Sequence, residues 1–310
     1  MTAGRRAMAA AAGAIAIWSL NATAGGAVLA ELSVLQVLAL EFGGAFVVLA
    51  IVRAIHRGGG RAAWTRGPRR ARAVTIGVVG ITGTIALQYL AFATAPLVAA
   101  NAIAYAWPLL AAAWTALAPG GDRSRSAVLF ALAGFAGLIL LLAARESPDG
   151  SAHAPLLGYV AAIGSAVAMA SYTLTAGRSG AATSDLLLAG TGAGALGFVP
   201  VALAEGAAWS PLWAIGLSVG IGIAMLAVGY GLWTHAMGHS AGARLAPAAY
   251  VTPLLSTGLL LATGERLSSI GLIGCALIVL CAAGVVLPTV LRPDPRRSAA
   301  AALSRPRATR

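Results

Sequence analysis

Glu41 stands in the middle of an apolar run, the only acidic side chain at such depth in any apolar run of the chain. A carboxylate there is costly to keep, and it serves as a proton carrier or as the partner of a cation such as a solute ammonium. A protonated or capping Glu that tightens helix packing is the plainer alternative. Asn101, Tyr105 and Pro108 follow at i, i+4 and i+7 and so share one helical stripe. Pro108 withdraws a backbone hydrogen bond and can kink the helix, so the amide and phenol beside it would line a polar concavity. Hydrogen-bond glue between helices is the competing role. Thr84 and Gln88 share another stripe with Tyr89 beside them, and Trp18 and Asn21 form an i, i+3 pair. Ser165, Met169 and Tyr172 make a further stripe, while Tyr230 precedes Trp233 by three positions.

The expected lining of a cavity is therefore Trp18, Asn21, Glu41, Thr84, Gln88, Tyr89, Asn101, Tyr105, Trp107, Met169, Tyr172, Tyr230 and Tyr250, with Pro108 and Pro253 as the kinks that gate it. Trp107 points to a different face from Tyr105. Trp233 and His235 approach the end of their run, where aromatic belts are usual, and Arg244 reads as an anchor at a helix end. Such a lining has aromatic walls, neutral donors and acceptors and at most one fixed charge. It suits a zwitterion or an amphipathic metabolite better than a polyanion, and its chemistry is recognition rather than bond making. The chain carries no Gly-x-Ser-x-Gly elbow, no His-Glu-x-x-His, no paired intramembrane carboxylates and no Walker motif. An intramembrane enzyme and an ATP-driven pump are disfavoured accordingly, a channel remains an alternative, and no cofactor or metal is expected.

The elements that must position these residues are set by composition. Of 310 residues 59% are hydrophobic and only 10% charged, with a mean hydropathy of +0.86, against roughly 25% charged residues in ordinary globular domains. A bilayer-spanning helix takes about 20 apolar residues, which leaves room for roughly nine to eleven spans. Charge-free runs place them at Ala7–Ala30, Ser33–Val52, two between Arg72 and Asp122 with a turn at Thr94-Ala95-Pro96, Ser126–Ala144, Pro155–Ala176, Ser184–Leu203, Pro211–Trp233, Gly242–Thr263 and Ser268–Val290. The first is read as a span rather than a signal peptide, although Ala22-Thr23-Ala24 resembles a cleavage site. Lipid leaves only helices and closed barrels as spanning structures, and uninterrupted apolar runs are not the alternating pattern of barrel strands. The fold class is thus all-α integral membrane, with ten transmembrane helices.

The net charge of +12 comes from 21 basic residues, all arginine. They lie between apolar runs rather than on a folded water-facing surface, so a nucleic-acid partner is not expected. With both termini cytoplasmic, 19 of the arginines fall inside and only Arg145 and Arg266 outside, the bias of a multi-pass protein with an even number of spans. Cys275 and Cys281 sit on different faces of one helix and suggest neither a disulfide nor a metal site.

Tyr105-Ala-Trp-Pro108-Leu-Leu aligns with Tyr250-Val-Thr-Pro253-Leu-Leu, Gly121-Asp122-Arg123 with Gly264-Glu265-Arg266, and Gly13 with Gly158, at separations of 143 to 145 residues. A five-span unit starts inside and ends outside, so its copy runs the other way. The expected organisation is a first five-helix repeat over 1–150, an inverted second repeat over 151–291, and a basic disordered cytoplasmic tail over 292–310. Inverted repeats with interrupted helices are a transporter device, with the solute held at the repeat interface.

The ten short spans, the paired halves, the prolines of spans four and nine and the Gly264-Glu-Arg-Leu267 ending of span nine resemble the drug/metabolite transporter superfamily. Within it the chain is similar to ten-helix exporters with two EamA-type repeats, and more narrowly to inner-membrane aromatic amino-acid exporters. Glu41 stands near where many relatives have an arginine, so specificity for anions is not carried over. The resemblance implies secondary export of aromatic or other neutral amino acids by alternating access, from a monomer in a bacterial-type inner membrane. Efflux of cationic drugs or other small metabolites is the alternative. The partners implied are the amino acid and the lipid bilayer.

Overall fold

In the computed structural model, residues 3–56, 67–117, 133–134, 136–137, 140, 154–238, 249, 251–264, 268–277 and 280 are described. Those residues form helices and connecting turns, with no strand among them. Six helices are long and apolar enough to cross a membrane: α1 (Gly4–Leu29), α2 (Val34–Ile55), α3 (Pro68–Thr94), α5 (Leu156–Arg178), α6 (Thr183–Ala204) and α7 (Leu212–Gly238). Two shorter apolar segments complete the numbering. The first is α4, in two pieces, Leu97–Ala104 and Trp107–Leu117, and the second is α8, Val251–Ala262. Residues 269–277 are also helical. The protein is a multi-pass membrane protein. The fifth predicted span, the sequences Gly121–Arg123 and 265–267, Arg244, Tyr250, Cys281 and the tail lie wholly or mostly outside the described residues.

Local chemistry sets the helix ends close to the expected positions. Ser33 caps α2 in a reciprocal box: its hydroxyl accepts from the Gln36 N–H at 3.2 Å, and the Gln36 side-chain oxygen accepts from the Ser33 N–H at 3.0 Å. Thr94-Ala95-Pro96 is the turn between α3 and α4, with Pro96 at the N-cap. Two helices outrun the apolar pattern. α3 begins at Pro68, so Arg69, Arg70 and Arg72 belong to its exposed first turns and not to a loop. α7 continues to Gly238. Arginine stems tolerate this because they lie along apolar surface while the guanidinium reaches water.

α2 packs most extensively on α6, and the two run antiparallel. At one end Ser33 donates to Glu205 at 2.5 Å, and the Gln36 amide donates to the carbonyls of Ala208 and Ala207 at 3.0 and 3.4 Å. At the other end the Arg53 guanidinium donates to Asp185 at 2.6 Å and to Ser184 at 3.2 Å. Between them Phe42 stacks on Phe198 with ring centres 5.7 Å apart. Arg53 lies in the last turn of α2 and Asp185 in the first turn of α6, so each also meets the favourable end of a helix dipole.

The remaining packing repeats itself in two matched sets. α3 packs on α5 and α6, and α4 on α5; correspondingly α7 packs on α1 and α2, and α8 on α1. α3 and α7 share an irregularity as well. Each contains a π-helical segment, Val78–Thr82 in α3 and Ile223–Gly229 in α7.

Candidate functional site

The interior of the bundle contains a cavity of about 30 Å³, room for roughly one or two waters. Its wall is supplied by Trp18 and Asn21 of α1, Thr84, Ile85 and Gln88 of α3, Ala104, Tyr105 and Trp107 of α4, Ser165 and Met169 of α5, and Met225 and Tyr230 of α7. None of these side chains is charged.

Interruptions in two helices, α4 and α7, help bring this set together. α4 turns at Tyr105 and Ala106, between its two pieces. Pro108 therefore sits in the first turn of the second piece, where a missing N–H costs nothing, rather than kinking a continuous helix. The Ala104 carbonyl, four residues earlier, has no N–H from Pro108 to accept, and Ala104 faces the cavity. The same turn corrects the expectation that Trp107 faces away from Tyr105. Resetting the helical phase at residues 105–106 lets both line one wall. Pro253 likewise stands in the first turn of α8. In α7, the π segment ends at Gly229, next to Tyr230. Gly229 leaves space for the Trp18 indole, which a Cβ there would approach to 2.7 Å. That indole donates a long, 3.5 Å bond to the carbonyl of Met225 within the π segment.

The polar groups of the wall largely satisfy one another. Asn21 donates to the Gln88 side-chain oxygen at 3.1 Å, Ser165 to the Thr84 carbonyl at 2.9 Å, and Tyr105 to the Trp18 carbonyl at 2.7 Å. The Thr84 hydroxyl donates to the carbonyl of Gly80. Asn21 Oδ1 is buried without a partner. Aromatic rings close the other side: Trp18 meets Tyr230 edge-on at 5.4 Å and Trp233 at 5.6 Å, and Trp107 meets Trp233 edge-on at 5.7 Å. Trp233, assigned from the sequence to an interfacial belt, is 1% exposed because these rings enclose it.

Eight of the expected lining residues meet at the cavity: Trp18, Asn21, Thr84, Gln88, Tyr105, Trp107, Met169 and Tyr230. Four others are buried but stand behind the wall. Glu41 accepts a hydrogen bond from the Tyr89 hydroxyl, Asn101 donates to Ser256 of α8 at 3.1 Å, and the Tyr172 and Thr234 hydroxyls are 2.8 Å apart. The Asn101 carbonyl accepts from the Tyr105 N–H at 3.0 Å, so the two stand one helical turn apart, but the Asn101 amide is taken up by Ser256 of α8 rather than by the wall. Tyr250 lies outside the described residues. The sequence reading missed Ile85, Ala104 and Met225 and left Ser165 as a stripe neighbour. Ala104 had a usable signal, standing four residues before a proline; Ile85 and Met225 had none to separate them from ordinary core residues.

Residues 5–143 match the EamA-like transporter family. Over 223 residues the chain is 32% identical to the aromatic amino acid exporter YddG of Ancylobacter novellus, an alignment spanning 69% of this chain and 75% of that protein. A solved crystal structure resembles the fold with a TM-score of 0.67 at 28% identity, over 91% of this chain and 97% of its own. With its apolar helices and an interior cavity walled by aromatic and neutral polar groups, the chain belongs to the EamA-like transporter family of the drug/metabolite transporter superfamily.

Proposed function

We propose that the protein is a secondary exporter of aromatic or other neutral amino acids, working by alternating access through the central cavity between two inverted five-helix repeats. The observation that carries this reading is the interior cavity whose wall joins aromatic rings to neutral donors and acceptors without a charged side chain. Neutral groups around a small solute can meet an ammonium and a carboxylate together. A wall with fixed charge would favour one of them. Small-molecule sites usually occupy about 300–1,000 Å³, an order of magnitude above the cavity's about 30 Å³. A space of that size is too small for an amino acid, and the helices around it must part to admit one.

The repeat reading is supported by the packing. Exchanging α1 with α5, α2 with α6, α3 with α7 and α4 with α8 turns one set of helix contacts into the other and leaves the α2–α6 and α4–α8 contacts on themselves. That is the pattern of a two-fold relation between units covering about 1–150 and 151–291, and broken helices near its axis are the usual place for a transporter's solute. The reading includes an inner-membrane monomer of ten spans with both termini cytoplasmic. Efflux of cationic drugs is less well supported, because Glu41, the acid that would pair with a cation, stands behind the wall and not in it.

The test is counterflow with purified protein in liposomes, using radiolabelled phenylalanine, tryptophan and alanine against lysine and choline. The proposal expects saturable exchange of the neutral amino acids. Exchange limited to the cations, or non-saturable flux of all five, would replace it with drug efflux or a channel.

A further inference from the structure

Glu41 is 0% exposed. The Tyr89 hydroxyl donates to Oε1, and Oε2 has no partner among the described residues. Among the described residues no cationic group is hydrogen-bonded to the carboxyl, and the Arg53–Asp185 ion pair lies at the far end of α2. The elements packed around Glu41 supply little else that can titrate. α3 presents Tyr89, with Tyr105 of α4 the next titratable group beyond it. α1 brings Gly25 against the Tyr89 ring, with Asn21 one turn away. α7 brings Gly222 directly onto the Glu41 backbone, and α6 brings Phe198 against the neighbouring Phe42. An ionised carboxylate enclosed without a cation costs far more than an unmatched neutral hydroxyl. The group must therefore gain a proton to be enclosed, or meet water to lose it.

The location joins that requirement to the cavity. Tyr89, which holds Glu41, directly follows Gln88 in α3, and Gln88 accepts from Asn21 in the cavity wall. α1, α3 and α7 each contribute both to the wall and to the enclosure of Glu41. A movement that opens the cavity by shifting α7 or α3 also disturbs the seam over the carboxyl.

We propose that Glu41 is a proton-binding site set behind the solute cavity, filled while α1, α3 and α7 close over it and emptied to water when they separate, so that one proton is exchanged with each conformational cycle. The inference rests on the transporter reading. In atomic terms a hydronium ion on one side of the membrane gives its proton to Oε2, its own O–H bond breaking as the Glu41 O–H bond forms and a neutral water departing. Opening toward the other side breaks the Glu41 O–H bond and forms hydronium from a water there.

Two measurements test it separately from the choice of solute. The first is infrared difference spectroscopy of the full chain in lipid nanodiscs, with no solute added, as a function of pH. Wild type should show the stretch of a protonated carboxyl at neutral pH that is missing in Glu41→Gln; its absence from wild type overturns the proposal whatever the protein transports. The second is phenylalanine uptake by proteoliposomes with and without a pH gradient. A gradient of about one unit corresponds to about a tenfold driving ratio per proton. Uptake with the gradient, divided by uptake without it, should differ from unity in wild type and return to unity in Glu41→Gln, with Tyr89→Phe intermediate. An unchanged ratio in Glu41→Gln overturns the proposal. Absence of phenylalanine uptake from wild type counts against the choice of solute, and the infrared result then decides the proton site alone.

Discussion

Gly222 of α7 rests on the backbone of Glu41 of α2, so closely that a Cβ would collide with the Glu41 carbonyl oxygen. A second contact mirrors it. A Cβ on Gly77 of α3 would lie 2.6 Å from the carbonyl oxygen of Leu186 in α6. Gly222 follows Gly77 by 145 residues, and Leu186 follows Glu41 by 145. The two π segments, beginning at Val78 and Ile223, keep the same separation and start immediately after these glycines. The same close backbone approach is thus made twice, once with an acidic residue on the partner helix and once with an apolar one.

Gly77→Ala and Gly222→Ala should each destabilise the protein by about 1–3 kcal/mol, the usual cost of overpacking, because the obstacle is backbone that cannot rotate away. Gly216→Ala is the control: nothing lies within 4 Å of its Cβ position, and the change should be neutral or slightly stabilising. Thermal unfolding in detergent reads all three. Equal melting temperatures would deny that the helices approach this closely.

Breaking the Arg53–Asp185 pair should cost roughly 3–5 kcal/mol, as for other buried ion pairs that lose one member. Their side chains are only 10% and 3% exposed, so neither is left well solvated by the loss of the other. Arg53→Ala and Asp185→Ala should therefore each lower the unfolding midpoint sharply, and the double variant should lose less than the two losses added together. Strict additivity would mean that the two charges act independently.

Asn101→Ala should act on stability rather than on transport. The amide reaches Ser256 in α8 and not the cavity, and interhelical hydrogen bonds in membrane proteins couple by about 0.6 kcal/mol on average. A double-mutant cycle of Asn101→Ala with Ser256→Ala should return a coupling of that order. Gln88→Ala, which alters the wall itself, should reduce phenylalanine counterflow much more than Asn101→Ala does. The reverse order would return Asn101 to the wall.

The contrast between Asn101 and Trp107 explains how much was legible in the sequence. Apolar length locates the six long helices to within a few residues, since that signal comes from the lipid itself and needs no knowledge of partners. Stripe arguments work where a helix is regular, as for Trp18 with Asn21 and Thr84 with Gln88. They fail in α4 for two reasons: a two-residue turn at Tyr105 and Ala106 resets the phase and brings Trp107 into the cavity, while Asn101, before that turn, gives its amide to Ser256 of α8. Glu41 and Tyr89 are placed by packing between helices far apart in the chain, and spacing along one helix cannot say which polar residue faces a void and which faces a neighbour. The paired close approaches at Gly77 and Gly222 escape a reading along one helix for a similar reason, since the residues they meet, Leu186 and Glu41, share no side-chain chemistry.

Ala104→Val distinguishes a passage from a packing defect. Ala104 faces a cavity of about 30 Å³, and valine adds two methyl groups, enough to occupy most of it. If the void were only imperfect packing, filling it would leave transport alone and hold or raise the melting temperature, since cavities cost stability roughly in proportion to their volume. If the wall is the solute site, the same substitution occupies space the solute needs in the opened state. The expected result is therefore a melting temperature equal to or above wild type together with phenylalanine counterflow reduced about tenfold, equivalent to about 1.4 kcal/mol. Stability and transport should move in opposite directions, which a general folding defect cannot produce. Counterflow at the wild-type rate in a well-folded Ala104→Val protein would mean that the solute crosses elsewhere.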